Sequence, residues 1–189
     1  MSLTKGKIET VLFYAKRELK YEEGTNNDTK FGKWYGLNKQ PWCAMFVSWV
    51  FYKAGLSKKI AASNSKGFAS CDAGLKWFAA KNKLVPIGQA QPGDIAFFQF
   101  DTDAQPDHVG IVVKNRRGHL YCIEGNTTPN RKGSQSNGGG VYRKKRPYSV
   151  VMAVARPIKE KHERKRYSQN QICIASLCSN CRKRLGSQS

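Results

Sequence analysis

The chain lacks any apolar run long enough to cross a bilayer, and Met1 to Leu19 mixes Lys5, Lys7, Glu9, Lys16, Arg17 and Glu18 among its apolar residues. That mixture is neither a signal peptide nor a membrane anchor, so synthesis in a cytoplasm is the expectation. Cysteines are few and irregular for 189 residues, at Cys43, Cys71, Cys122, Cys173, Cys178 and Cys181, which argues against a disulfide framework and for reduced thiols. No internal repeat is present. Acidic residues are scarce: 13 Asp plus Glu stand against 33 Lys plus Arg, a formal charge of +20 that draws the protein toward a polyanion. What is present excludes disorder over most of the length, since 40% of residues are hydrophobic and 11% aromatic. The length suits one ordinary domain with a tail.

Ile8, Val11, Leu12, Ala15 and Leu19 recur at helical spacing and predict an amphipathic opening helix. Glu23 to Gly36 has no steady period and reads as a long loop wrapped over the protein. Pro41 suits the first turn of a helix, Trp42 to Ala54 are nearly all apolar, and Gly55 supplies the stop, so this helix should be buried on most sides. From Gly93 the pattern becomes short β-branched runs: Ile95 to Phe100, His108 to Val113, Leu120 to Glu124, a short strand around Val141 and Tyr142, and Val150 to Ala155. Helices followed by strands predict an α+β fold, with helices packed on one face of an antiparallel sheet. After Pro157 the composition breaks. Eight Lys or Arg against two Glu beyond residue 156 leave +14 of the +20 on the preceding stretch. A catalytic domain over 1–157 and a basic, disordered tail over 158–189 are expected.

Cys43 falls in the first turn of the buried helix, where free N–H groups and the helix dipole favour a thiolate. A free Cys is also a common small core residue, so position alone does not make it a nucleophile. Pairing His108–Val113 with Leu120–Glu124 across a six-residue turn sets Val113 opposite Leu120 and His108 opposite Gly125, with Glu124 and Asn126 beside it. A thiol at a helix start, a histidine at a sheet end and an orienting polar group are what nucleophilic thiol catalysis requires. His119, in the turn, and His162, in the tail, read as solvated; Cys71 and Cys122 read as packing residues.

These residues carry a resemblance. Trp34-Tyr35-Gly36, Gln40-Pro41-Trp42-Cys43-Ala44-Met45-Phe46-Val47-Ser48-Trp49, Pro92-Gly93-Asp94-Ile95, Asp107-His108-Val109-Gly110-Ile111-Val112 and Glu124-Gly125-Asn126-Thr127 occur in an order that resembles the CHAP domain. This is the cysteine- and histidine-dependent amidohydrolase/peptidase of bacteriophage endolysins and bacterial wall hydrolases. The resemblance covers Lys5 to Pro157. It implies a papain-like core with Cys43 as nucleophile, His108 as general base and then acid, Glu124 as orienter of the imidazole and Asn126 as a further polar member. It also implies hydrolysis of a peptidoglycan amide through a thioester, the oxyanion being held by the Cys43 N–H and a second donor. Gln40 is the candidate for that donor, and Trp34, Tyr35 and Trp42 are candidates to line the substrate site.

Some CHAP domains hold calcium before the cysteine. Here only Asp28, with the neutral Asn26 and Asn27, stands there, so no metal and no cofactor are expected. The expected partners are peptidoglycan and, by charge, anionic wall polymers. The protein would reach the wall from the host cytoplasm after holin-type release, or as a virion component. Four alternatives stay open at this point. The cut could be an endopeptidase's or an amidase's. The substrate could be a non-wall amide. The charge, with Arg116-Arg117 and Arg143-Lys144-Lys145-Arg146, could serve nucleic-acid binding. His162, Cys173, Cys178 and Cys181 could form a zinc site, though only the Cys178/Cys181 pair has a favourable spacing.

Overall fold

Eleven residues with an apolar stripe, a glutamate in the first turn and Lys16 and Arg17 in the last form helix α1, Lys7–Arg17, which buries Val11 and Ala15. The computed structural model describes residues 6–129 and 133–159, which lie in one compact unit ending at Lys159. The tail, with His162 and its three cysteines, lies outside the described residues. Among the described residues no helix is long and apolar enough to cross a membrane.

The stretch expected to be loop contains a helix, α2 (Lys30–Tyr35). Thr29 starts it by accepting a hydrogen bond from the Gly32 N–H at 2.9 Å, and Gly36, at φ +97°, ends it. At six residues it is too short to display a period. Helix α3 (Cys43–Lys53) is buried on most sides as its composition predicts, and Gly55 follows at φ +71°. Pro41 precedes the helix instead of sitting in its first turn; Trp42 is the capping residue and Cys43 the first helical one. Helix α4 (Cys71–Ala80) was not legible in advance because only Cys71, Gly74 and Phe78 of its ten residues are buried. Ser70 caps it.

Six antiparallel strands form one sheet: β1 (Leu84–Val85), β2 (Ile95–Phe98), β3 (His108–Arg116), β4 (His119–Thr127), β5 (Gly140–Pro147) and β6 (Val151–Ala155), ordered β1-β6-β2-β3-β4-β5. Alternation sends Ile95, Phe97, Val109, Ile111 and Ile123 to the core shared with α3, while Ala96, Phe98, Val112, Leu120 and Cys122 build a smaller cluster. The fold is the expected α+β type.

The β3–β4 register departs from the expected one, and the difference decides the site. The turn is two residues, Arg117 and Gly118, at φ +48° and +72°, so the charged Lys114 to Arg116 remain in the strand and Asn115 faces Leu120. An irregularity at Val113 then takes up one residue, and Ile111 faces Ile123. The expected pairing would have placed His108 and Glu124 on opposite faces, since a one-residue slip inverts every side chain. In the observed register both lie on the same face. Gly110 makes room for the carboxylate: a Cβ there would stand 2.5 Å from Glu124 Cγ.

Candidate active site

Cys43 opens α3, and His108 opens β3. His108 is fully buried, stacked on Phe98 and tilted against Phe100, with ring centroids 6.0 and 6.1 Å away. Its Nε2 lies 3.1 Å from Glu124 Oε2, while Nδ1 has no hydrogen-bond partner among the described residues. Burial by itself would lower the imidazole pKa. Interaction with Cys43 and Glu124 outweighs it and raises the value to about 9. Cys43 is held well below the usual thiol range by a hydrogen bond from Cys71, then by His108 and the Ala44 N–H, against the opposing effect of burial. The arrangement therefore favours a thiolate beside an imidazolium.

Three features escaped the sequence reading. Cys71, taken for a packing residue, sits at the start of α4 with its Sγ 3.6 Å from that of Cys43. The proton stays on Cys71, whose thiol is pushed well up by the neighbouring Cys43 and by burial. Arg146, taken for part of a charge run, is buried because β5 is an edge strand whose alternate residues, Lys144 and Arg146, turn inward. Its Nη2 and Nε donate to Glu124 at 2.5 and 3.1 Å, and its guanidinium lies 4.9 Å from the Phe100 ring centre. Gln135 completes the group by accepting from Arg146 Nη1 at 3.0 Å. Glu124 thus has two cationic neighbours, and despite the cost of burial its carboxyl is held below the usual range by His108 and Arg146. Period-two alternation across the basic run was the one signal that could have singled out Arg146.

Removing this arginine should be costly in stability. Arg146→Met leaves the Glu124 carboxylate buried with a single ionic partner, and a loss of about 3–5 kcal/mol is expected in urea unfolding, with Arg146→Lys losing less. Equal stability of Arg146→Met and the parent would show that the pair contributes nothing.

Asn126 takes a different place from the one expected. It adopts φ +58° where the β4–β5 pairing is irregular, and its Nδ2 donates to Ser136 O and Asn137 Oδ1 at 3.1 and 3.3 Å. It braces the following loop and makes no hydrogen bond to the imidazole. A cavity of about 680 Å³ opens beside Cys43; Tyr35, Gln40, Cys71, Asp72 and Asp107 are among its walls. Two other expected lining residues are elsewhere. Trp42 is fully buried, stacked on Phe31 and donating to Glu23 Oε2 at 2.5 Å, because its indole anchors the approach to α3. Trp34 packs on Trp49 and Tyr52. Asp28 is engaged by Lys33 Nζ and by Asn38 Nδ2, at 2.8 and 2.7 Å.

Residues 34–126 match the family model of the CHAP domain, a cysteine- and histidine-dependent amidohydrolase/peptidase family. The matched stretch includes Cys43, Cys71, His108 and Glu124; Arg146 lies beyond it. No curated protein matches the chain. Among solved structures, it is similar to a protein described as similar to lipoprotein, NLP/P60 family, from Staphylococcus aureus subsp. aureus Mu50. The identity is 14% and the TM-score 0.46, over 85% of this chain and 44% of that one. It is also similar to the peptidoglycan hydrolase RipB from Mycobacterium tuberculosis, at 17% identity and TM-score 0.49, over 82% of this chain and 66% of that one. The chain therefore spans less than half of the first and less than two thirds of the second.

Proposed function

We propose that this chain, whose residues 34–126 match the CHAP domain, hydrolyses an amide bond of peptidoglycan by thiol catalysis. The observation that carries the reading is the electrostatic interaction of Cys43, at a helix start, with a buried His108 that Glu124 holds at 3.1 Å. The substrate class comes from the CHAP likeness.

In this reading Cys43 Sγ, as thiolate, adds to the amide carbonyl carbon. The oxyanion is met by the Cys43 N–H and by Gln40, which lines the same cavity. The tetrahedral adduct collapses to a thioester as His108 gives its proton to the departing amine. Water then attacks the thioester carbon, His108 takes a proton from that water, and a carboxylic acid leaves with Cys43 restored. Glu124 orients the ring and stabilises its charged form; Arg146 fixes Glu124. The protein would reach the wall after holin-type release, or in a virion.

Digestion of purified peptidoglycan followed by mass spectrometry tests the reading. New amino termini within the stem peptides are expected for an endopeptidase, and freed lactyl groups for an amidase. Peptidoglycan left intact would sink the wall assignment, and turnover of a small non-wall amide in its place would favour a thiol amidase of another substrate class.

A further inference from the structure

The helix layer leaves part of the sheet uncovered. On the face packed by α3, Ile111, Ile123 and Arg143 form one row across β3, β4 and β5. The next row toward the Arg117–Gly118 turn is Lys114, Tyr121 and Lys145, and the last is Arg116, His119 and Pro147. Lys114, Arg116, Arg143 and Lys145 are exposed, and among the described residues none has an ion-pair partner. Arg117, exposed at the turn, extends the group. A concavity of about 340 Å³ runs through it, with Val113, Lys114, Tyr121, Arg143 and Lys145 among its walls and no acidic residue. Adjacent strands stand about 4.8 Å apart and alternate residues about 7 Å apart along a strand. The cations therefore form a two-dimensional grid beside the shallow groove.

We propose that this three-stranded basic platform docks an aliphatic polyol-phosphate polymer of the bacterial wall, holding the enzyme on its substrate while the cavity beside Cys43 cuts. Charge complementarity selects a polyanion, because four cations without carboxylate partners repel one another until anions lie among them. The surface offers little for bases to stack on: Tyr121 is the central aromatic ring, and Lys145 Nζ already lies 5.9 Å from its centre. A base-free phosphodiester chain fits such a grid better than nucleic acid does. The chain's own end cannot serve as occupant, since residues 158–189 are themselves basic. The wall as the polymer's source rests on the function proposed above; the platform does not.

The test uses the full chain with Lys114, Arg116, Arg143 and Lys145 all changed to Gln. A control carries Gln at the exposed Lys7, Lys58, Lys59 and Lys81, which removes the same charge elsewhere. Both are first matched to the parent in thermal unfolding. Co-sedimentation is measured with walls bearing their phosphate polymer and with walls stripped of it, at several salt concentrations, alongside hydrolysis of soluble peptidoglycan fragments. The platform variant should bind polymer-bearing walls at least about tenfold more weakly, with a shallower salt dependence. The control should bind like the parent, and soluble hydrolysis should be unchanged in both. Equal weakening in the control would show net charge and no site. Equal parental binding to native and stripped walls would remove the polymer as ligand, and tighter platform-dependent binding of single-stranded DNA would reassign the surface to nucleic acid. Platform-dependent binding without hydrolysis by any of the proteins would keep the docking surface and overturn the enzymatic reading.

Discussion

A Cys43→Ala variant is expected to fold like the parent and to lose at least about a thousandfold in turnover. The substitution removes one sulfur from a small site, so packing changes little, whereas the covalent route through a thioester disappears entirely. Ser in its place should fare no better: its hydroxyl is far less acidic than a thiol, and a site that favours a thiolate through a Cys71 hydrogen bond and the His108 charge does not ionise an alcohol. Release of soluble fragments from purified walls, compared with near-ultraviolet circular dichroism as the check on folding, reads the effect. Lysis at the parental rate by Cys43→Ala would falsify the thiol mechanism.

The second large effect is that of His108→Ala, which should approach the loss at Cys43. It removes the proton donor for the leaving amine and also the counter-charge that helps keep Cys43 ionised. The parent's pH profile follows from the same pair. Cys43 loses its proton well below the usual thiol range, and His108, carried to about 9, keeps its proton well above neutrality. Activity should rise with pH as the thiolate forms, stay level while both members of the ion pair exist, and fall as pH passes about 9 and the imidazolium deprotonates. In Cys71→Ala the rising limb should move to higher pH, because the first of the influences that lower the Cys43 value is gone, while the falling limb stays. Alkylation of Cys43 by iodoacetamide across pH reads the thiolate without any substrate, and an unmoved rising limb would deny Cys71 this part. Glu124→Gln should be milder than His108→Ala, since an amide still orients the ring but does not stabilise its charge.

The sequence determined the main elements wherever their pattern was long and unambiguous. An apolar run closed by Gly55 could only be a buried helix, and β-branched runs between turns could only be strands of a sheet packed beneath it. Cys43, His108 and Glu124 could be singled out because their chemistry is rare and local pattern set Cys43 at a helix start and His108 at a strand start; Glu124 lies inside β4, three residues before its end. Short or thinly buried elements were not legible: α2 has too few residues to show a period, and α4 buries three of ten.

Tertiary structure alone decided what faces what. Whether His108 and Glu124 share a face depended on one extra residue at Val113 and a two-residue turn, which hydrophobic pattern does not encode, because a strand of alternating residues reads equally well in registers one apart. Cys71 reached Cys43 across 28 residues of sequence, and Arg146 reached Glu124 from an edge strand that composition presented as a solvated charge run. Trp42, beside the cysteine in sequence, points into the core, and Asn126 turns to its own loop. Sequence fixes which groups exist and which local geometry each prefers; the partners of a buried polar group come from long-range packing, because only the closed fold brings together donors and acceptors that no local segment contains.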